Sequence, residues 1–278
     1  MATALRPLST GELLDRTFSL YRSHFVLFAG IFALPHLSVF AFQCVGIAFQ
    51  PASAAAFSAS GILTTLAWAF GTILLSLLVS AASQAATVIA VSQVHLDRPA
   101  SVGGSFSAVK NQIAGVIWLS LSVGLLVGLA FMALIIPGIL LAIQWSLAVP
   151  AKVLENLGVG EAMSRSSELS KGNRGRIFVI WVLFIALSIG INLLLQWPIE
   201  LAAGVSARGA LRRVGVEWQV ASLVATFISQ CLVGPLTTIA FSLVYYDQRV
   251  RKEAFDLQLM MTTLDAPVLQ GAPVQAGA

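Results

Sequence analysis

The sequence predicts an all-α protein: a polytopic transmembrane helical bundle with six membrane segments in three units, each an amphipathic helix followed by a hairpin. Three observations lead there. Hydrophobic residues make up 58% of the 278 and charged residues only 10%, far below the roughly 25% of a soluble domain. Uncharged apolar runs of about 18 residues or more recur along the chain, the length a helix needs to cross a ~30 Å hydrocarbon core. Finally, a polar block near the N-terminus, "GELLDRTFSLYRSH", returns in the middle of the chain as "GEAMSRSSELSKGN".

The six segments run over residues 24–49, 62–94, 113–136, 139–154, 177–197 and 218–246. A short, small and uncharged connection, "QPASAAAFSAS", links the first two. Pro137 and Gly138 alone separate the third from the fourth, a turn signal tight enough to make them antiparallel neighbours. As a helix the fourth rises about 24 Å at ~1.5 Å per residue, short of the hydrocarbon core, and Pro150 should kink it. It either spans with local thinning or pairs with the third as a re-entrant hairpin, and both return the chain to the same side. One transmembrane domain therefore covers 1–264. From Asp265 onward, "DAPVLQGAPVQAGA" has Pro, Gly and Ala without periodicity and reads as a disordered cytoplasmic tail over 265–278.

Orientation follows from the cations. Of the sixteen Lys and Arg, thirteen lie on the side that carries the N-terminal segment, 95–112, 150–176 and the C-terminal segment. Both termini are then cytoplasmic. Arg208, Arg212 and Arg213 are the exception and read as a short outer-surface helix, "ARGALRRVGVEW". A formal net charge of +4 is the mark of loops beside anionic lipid headgroups, not of nucleic-acid binding. The last cytoplasmic element, "YYDQRVRKEAFDLQL", combines an aromatic belt with such an anchor. The first 23 residues are polar, carry Glu12 and Asp15 and lack the apolar core of a signal peptide, so the first segment is expected to act as an uncleaved anchor.

In the repeated block Gly11, Glu12, Arg16, Thr17, Leu20 and Arg22 match Gly160, Glu161, Arg165, Ser166, Leu169 and Lys171. Each shared residue has a helical role. The glutamate sits in the positive first turn and can pair with the arginine four residues on, while a cation closes the last turn. Ser9 with Glu12 makes a capping box, and Gly172 falls where a C′ glycine stops a helix. "RPASVG" at 98–103 repeats the spacing of "RPLSTG" at 6–11 and also precedes a hairpin. Leu14, Phe18, Tyr21 and Phe25 form an apolar stripe on the first of these helices, which should lie in the interface plane. An exposed pair of Glu161 with Arg165 is worth only ~0.3–0.5 kcal/mol, so charge reversal at Arg165 should leave the fold intact.

Little in the chain points to chemistry. His24, His36 and His95 stand singly without metal-ligand spacing, phosphate loops and nucleophile elbows are absent, and the segments hold no Asp, Glu, Lys or Arg away from their ends. Intramembrane hydrolases and ion-coupled carriers place ionisable groups there. No catalytic residue, cofactor or metal is therefore expected. Cys44 and Cys231 lie in apolar runs and read as small apolar side chains. The polar groups at depth are His36 and the amides Gln43, Gln84, Gln93, Gln144, Asn192, Gln196 and Gln230. They read as hydrogen-bonding glue between helices, the alternative being a polar cavity for a lipid headgroup or small solute. Gly124 with Gly128, and Ala82, Ala86 and Ala90, are expected at close helix contacts.

Three blocks carry a family resemblance: "RPLSTGELLDRTFSLYRSHF", "IPGILLAIQWSLAVPAKVLENLGVGEAMSRSSELSKGNRGRIF" and "LVYYDQRVRKEAFDLQLM". They resemble the bacterial glycerophosphoryl diester phosphodiesterase membrane-domain family and related bacterial multi-pass families of unknown function, over 6–260. The resemblance implies an inner-membrane protein with six or more helices, and it transfers no reaction and no catalytic residue. Some members join this region to a soluble phosphodiesterase barrel of about 250 residues; here the membrane region is expected to stand alone. The function expected is that of a non-catalytic membrane scaffold or accessory subunit, in contact with anionic lipid and with a protein partner or a second copy. A transporter or channel for a lipid or small solute is the alternative. In a cysteine-free background, a cysteine at Ser53 should react with an impermeant maleimide from outside, and one at Ala266 only in inverted vesicles. Labelling of Ser53 from the inside alone would remove the six-segment topology.

Overall fold

The computed structural model describes residues 8–49, 58–96, 98–206 and 215–253, and in it each unit opens with a short helix fixed by its cap. Ser9 Oγ accepts from Glu12 N (3.2 Å) while the Glu12 carboxylate accepts from Ser9 N (2.7 Å), the reciprocal pair that satisfies two orphan amides. That starts α1 (Thr10–Ser23), and α2 (Phe25–Ala48) and α3 (Ala59–His95) follow as the first hairpin. Ser101 caps α4 (Val102–Val109) through Gly104 N at 3.1 Å. Behind it come α5 (Ile113–Ala133), α6 (Ile135–Gln144) and α7 (Ala148–Glu155). In α8 (Val159–Ser170) Glu161 accepts from Gly158 N at 2.8 Å. The helix stops at Gly172, whose φ of 81° is a left-handed conformation that glycine adopts without penalty. α9 (Arg174–Ser206) and α10 (Val216–Glu253) form the last hairpin. The sequence repeat is thus a repeat of structure.

Six helical stretches among the described residues are long and apolar enough to cross a membrane. Their outward faces carry side chains such as Leu66, Phe70, Leu194 and Trp197, each more than half exposed. Apolar surface on that scale is a liability in water and the ordinary surface of a helix in lipid. The chain is a multi-pass membrane protein. α10 is its axis: it packs on α1, α2, α3 and α9, and 56% of its most apolar window is buried, against 6% for that of α3. α3 is divided. Leu63, Leu66 and Phe70 in its first half are exposed, whereas Ala81, Ala85, Ala86 and Ala90 in its second half are buried, small enough to admit neighbouring backbones.

The bundle departs from the sequence reading in several places. Pro137 and Gly138 are not the turn. The chain breaks earlier, at Leu134, which is extended (φ −158°, ψ 139°). Pro137 lies in the first turn of α6, where its missing N–H has no partner to lose. Gly138 serves packing instead, since a Cβ there would fall 2.5 Å from Cγ of Phe131. The next break comes at 145–147, ahead of Pro150, which sits in the first turn of α7. Together α6 and α7 cover Ile135–Glu155, 21 residues, longer than the segment drawn at 139–154.

α1 turns a different face inward. Leu13, Thr17 and Tyr21 are buried while Phe18 and Phe25 are exposed, because the helix packs along α10. Gly124 and Gly128 have no atom of the described residues within 4 Å of where a Cβ would stand, so no described helix packs closely on them. The expected helix around Arg208, Arg212 and Arg213, and the tail at 265–278, lie outside the described residues. Gly234 is the glycine that packing demands, because a Cβ there would lie 2.3 Å from the buried ring of Phe32. Gly234→Ala should lower stability by about 1–3 kcal/mol, read as a reduced melting temperature in nanodiscs. Gly124→Leu and Gly128→Leu should stay within roughly 0.5 kcal/mol of wild type.

Candidate functional site

α10 turns Thr226, Gln230, Gly234, Thr237 and Phe241 toward the bundle interior at helical spacing. α3 opposes them with Ser76, Ser80 and Gln84, each one turn apart. Of these, Ser80, Gln84, Gln230, Gly234, Thr237 and Phe241, with Ser146 and Pro150 from the broken α6–α7 segment and Trp181 from α9, line a cavity of about 380 Å³, within the ~300–1,000 Å³ of small-molecule sites. A second cavity of about 90 Å³ adjoins it. The two share Ser80 and Gln230, and the smaller one reaches His36 and Gln43.

Helix interruptions shape these walls. The hydroxyl of Ser166 on α8 accepts from Leu147 N (3.1 Å) and donates to Gln144 O (2.8 Å), repairing the ladder where α6 stops and α7 starts. On α10, Pro235 lacks the N–H that would meet the carbonyl of Cys231 four residues back. Tyr21 OH donates to that carbonyl instead, at 3.3 Å. Burial, and after it the nearby Cys231, push the Tyr21 phenol up to about 12, so it remains a donor at physiological pH. Phe32 rests against Gly234 and stacks on His36, ring centroids 5.4 Å apart. His36 Nδ1 donates to Phe32 O at 2.8 Å.

The amides divide into two kinds. Gln196 is interhelical glue as expected: it donates to Thr226 Oγ1 (2.6 Å) and Ser222 O (3.1 Å) and accepts from Ser222 Oγ (2.8 Å), joining α9 to α10. Asn192 bonds within its own helix, to Ser188 O at 2.9 Å, and Gln144 accepts from Arg174 at 3.3 Å. Gln43, Gln84 and Gln230 instead line the cavities, and no hydrogen bond joins their amides to another of the described residues.

A second concentration of polar groups ties together the helix ends. Asp247, whose side chain has no exposed surface, accepts from Leu8 N (2.7 Å), Arg251 Nε (2.9 Å) and Arg176 Nη1. Leu8 O accepts from both arginines, at 2.8 Å and 2.6 Å. Beside it Glu155 on α7 accepts from Arg165 Nε (3.0 Å) and Tyr245 OH (2.5 Å), Arg165 also grips Glu253, and Arg249 reaches Glu253 at 3.0 Å. Burial alone would lower the Arg165 guanidinium, but its hydrogen bonds to Glu155 and Glu253 outweigh that and raise it. Lys252 Nζ donates to Glu168 O and Lys171 O, each at 2.6 Å, placing a cation on the negative end of α8. The expected partner of Arg165, Glu161, caps the start of α8 instead.

The histidines stay apart. His24 bonds to Ser23 Oγ at 2.8 Å between α1 and α2, His36 lies in the cavity wall, and His95 stacks on Tyr246 with centroids 5.3 Å apart. Among the described residues no three His, Cys, Asp or Glu are grouped to hold a metal ion. Comparison with protein-family models, curated proteins and solved structures finds no match.

The cavity had a sequence signal. Ser76, Ser80 and Gln84, like Thr226, Gln230 and Thr237, recur every three to seven positions on apolar helices, marking a face turned from lipid. Arg165 binds two carboxylates on other helices, so Arg165→Glu removes both pairs and adds a third carboxylate. It should destabilise the protein by about 1–3 kcal/mol after allowance for its partial exposure. A melting temperature unchanged by Arg165→Glu would mean the cluster contributes nothing.

Proposed function

We propose that this is a non-catalytic protein of the bacterial inner membrane that holds the polar part of a lipid or a small solute inside the bilayer, as a carrier or conduit does. The observation carrying this reading is the 380 Å³ cavity, into which Gln84 and Gln230 present amides with no hydrogen-bond partner among the described residues. A polar group left unpaired at membrane depth is unfavourable, and a bound polar ligand would supply the missing hydrogen bonds.

Orientation with both termini cytoplasmic is part of the same proposal. Arg22, Arg98, Lys110 and Lys171 are exposed on the side the cation count makes cytoplasmic, available to anionic headgroups. The three blocks that carry the family resemblance meet in the fold: they supply the Leu8 backbone, Glu155 with Arg165 and Arg176, and Asp247 with Arg251, to adjoining clusters. A scaffold or accessory subunit is the second reading. It is favoured by the open Gly124 and Gly128 face of α5, which leaves room for a helix of another protein or a second copy.

Ala142 lines the cavity, and Ala142→Phe would fill part of it without removing a hydrogen bond. Native mass spectrometry of protein drawn from its own membrane should find a retained lipid or solute in the wild type. In Ala142→Phe of equal melting temperature, retention should fall about tenfold or more, as the loss of ~1.4 kcal/mol requires. Equal retention in both, or none in either, would discard the cavity reading and leave the scaffold.

A further inference from the structure

What the cavity accepts is constrained by charge and by hydrogen-bond direction. Of the residues lining either cavity, His36 is the one able to carry a charge; Asp, Glu, Lys and Arg are absent from both linings. Among the described residues, arginines and carboxylates pair at the helix ends instead, where Arg176 meets Asp247 and Arg165 meets Glu155. A phosphate or an ammonium entering this volume would lose its hydration without meeting a counter-charge, and that is prohibitive at membrane depth.

Direction narrows the class further. Ser146 donates its hydroxyl hydrogen to Ile143 O (2.8 Å), Thr237 to Val233 O (3.1 Å) and Thr238 to Gly234 O (3.0 Å). With their hydrogens committed to their own helices, these hydroxyls offer the cavity lone pairs only. His36 repeats the pattern: Nδ1 is engaged by Phe32 O, which leaves Nε2 of the neutral ring as an acceptor. Ser80, Ser188 and Ser229 also line the larger cavity, and their hydroxyls, like the amides of Gln84 and Gln230, can both donate and accept. The walls therefore suit a ligand whose polar groups do both, as a hydroxyl does. They also supply the aromatic faces of Phe32, Trp181 and Phe241, suited to the C–H faces of a compact ring or chain. At roughly 30 Å³ per water, the larger cavity has room for about a dozen waters, or for one hexose-sized group, with the smaller cavity continuing past Ser80 and Gln230.

Resting on the cavity as a binding site, we infer that the group it takes is electrically neutral and rich in hydroxyls: a sugar or polyol moiety, free or as the headgroup of a lipid. Gln84 and Gln230 are its specificity-determining residues. They reach it from facing helices, Gln230 at the junction of the two cavities and Gln84 within the larger one.

Three hexoses of one size and different charge test the inference on the full chain in phosphatidylcholine nanodiscs at pH 6: glucose, glucose 6-phosphate and protonated glucosamine. A parallel arm compares nanodiscs doped with glucosyl diacylglycerol and with phosphatidylglycerol. Tryptophan emission, referenced to Trp181→Phe, reports occupancy. The neutral member of at least one arm should bind about tenfold or more tightly than its charged counterparts. Gln84→Leu with Gln230→Leu should weaken it by a similar factor, while Gln84→Asn with Gln230→Asn should restore part of it. Binding in the first arm marks a solute site, and binding confined to the second marks a headgroup site; either supports the inference. A charged ligand that binds as well as the neutral one and is lost in the double leucine variant overturns the ligand class and leaves the cavity reading standing. No binding in either arm, together with indifference of co-purifying material to Ala142→Phe, overturns both.

Discussion

A carboxylate with no exposed surface must have its charge met by protein groups, and the groups that meet Asp247 define how the chain closes. They are the backbone amide of Leu8 and the guanidiniums of Arg176 and Arg251, and the carbonyl of Leu8 in turn accepts from both arginines. The approach to α1, the start of α9 and the end of α10 are thereby held at one point. The adjacent cluster of Glu155, Arg165, Arg249 and Glu253 extends the hold to α7 and α8. Removing one member would strand the others, since an uncompensated buried charge is far less favourable than a pair. Arginine is suited to this work because its planar fork can serve a carboxylate and a carbonyl together.

Within the membrane-crossing helices the governing constraint is that backbone polar groups find partners inside the protein. Both principal interruptions have one. Ser166 bridges the gap between α6 and α7, and Tyr21 serves the carbonyl of Cys231 that Pro235 leaves free. The remedies come from α8 and α1, two of the capped helices of the repeat, through Ser166 and Tyr21 on their buried faces. The short helices thus do more than rest beside the bundle. They permit its long helices to break where a cavity is needed, since Ser146, Pro150 and Gly234 beside those breaks are cavity walls.

The contrast between Gln196 and the pair Gln84 and Gln230 gives the binding reading its weight. All three are amides on apolar helices of one protein. Gln196 is saturated by Ser222 and Thr226 on the facing helix, which is what amides at a packed interface do. The other two face an open volume and have no hydrogen-bond partner among the described residues. Packing alone gives no reason to keep a long polar side chain there, where leucine would fill space without needing a partner.

Composition and hydropathy established the class of object, because crossing a lipid core demands apolar length whatever the helices later pack against. Local capping was equally legible: Ser9 with Glu12 and Gly172 act within a turn of where they stand in the chain. Pro137 with Gly138 misled because a proline signals both a turn and a helical first turn, and the preceding extended residue, Leu134, carries no signal of its own. Which face of α1 is buried, why Gly234 is glycine, and which amides are saturated were decided by the tertiary structure alone. The partner of Arg165 shows the reason most plainly. Glu161 lies within reach along the sequence, but its carboxylate is taken by the amide of Gly158, and the charges that hold Arg165 come from Glu155 and Glu253 on two other helices. Interactions closed within one helical turn are set by sequence spacing, whereas those between helices depend on rotations and offsets that only the packed bundle fixes.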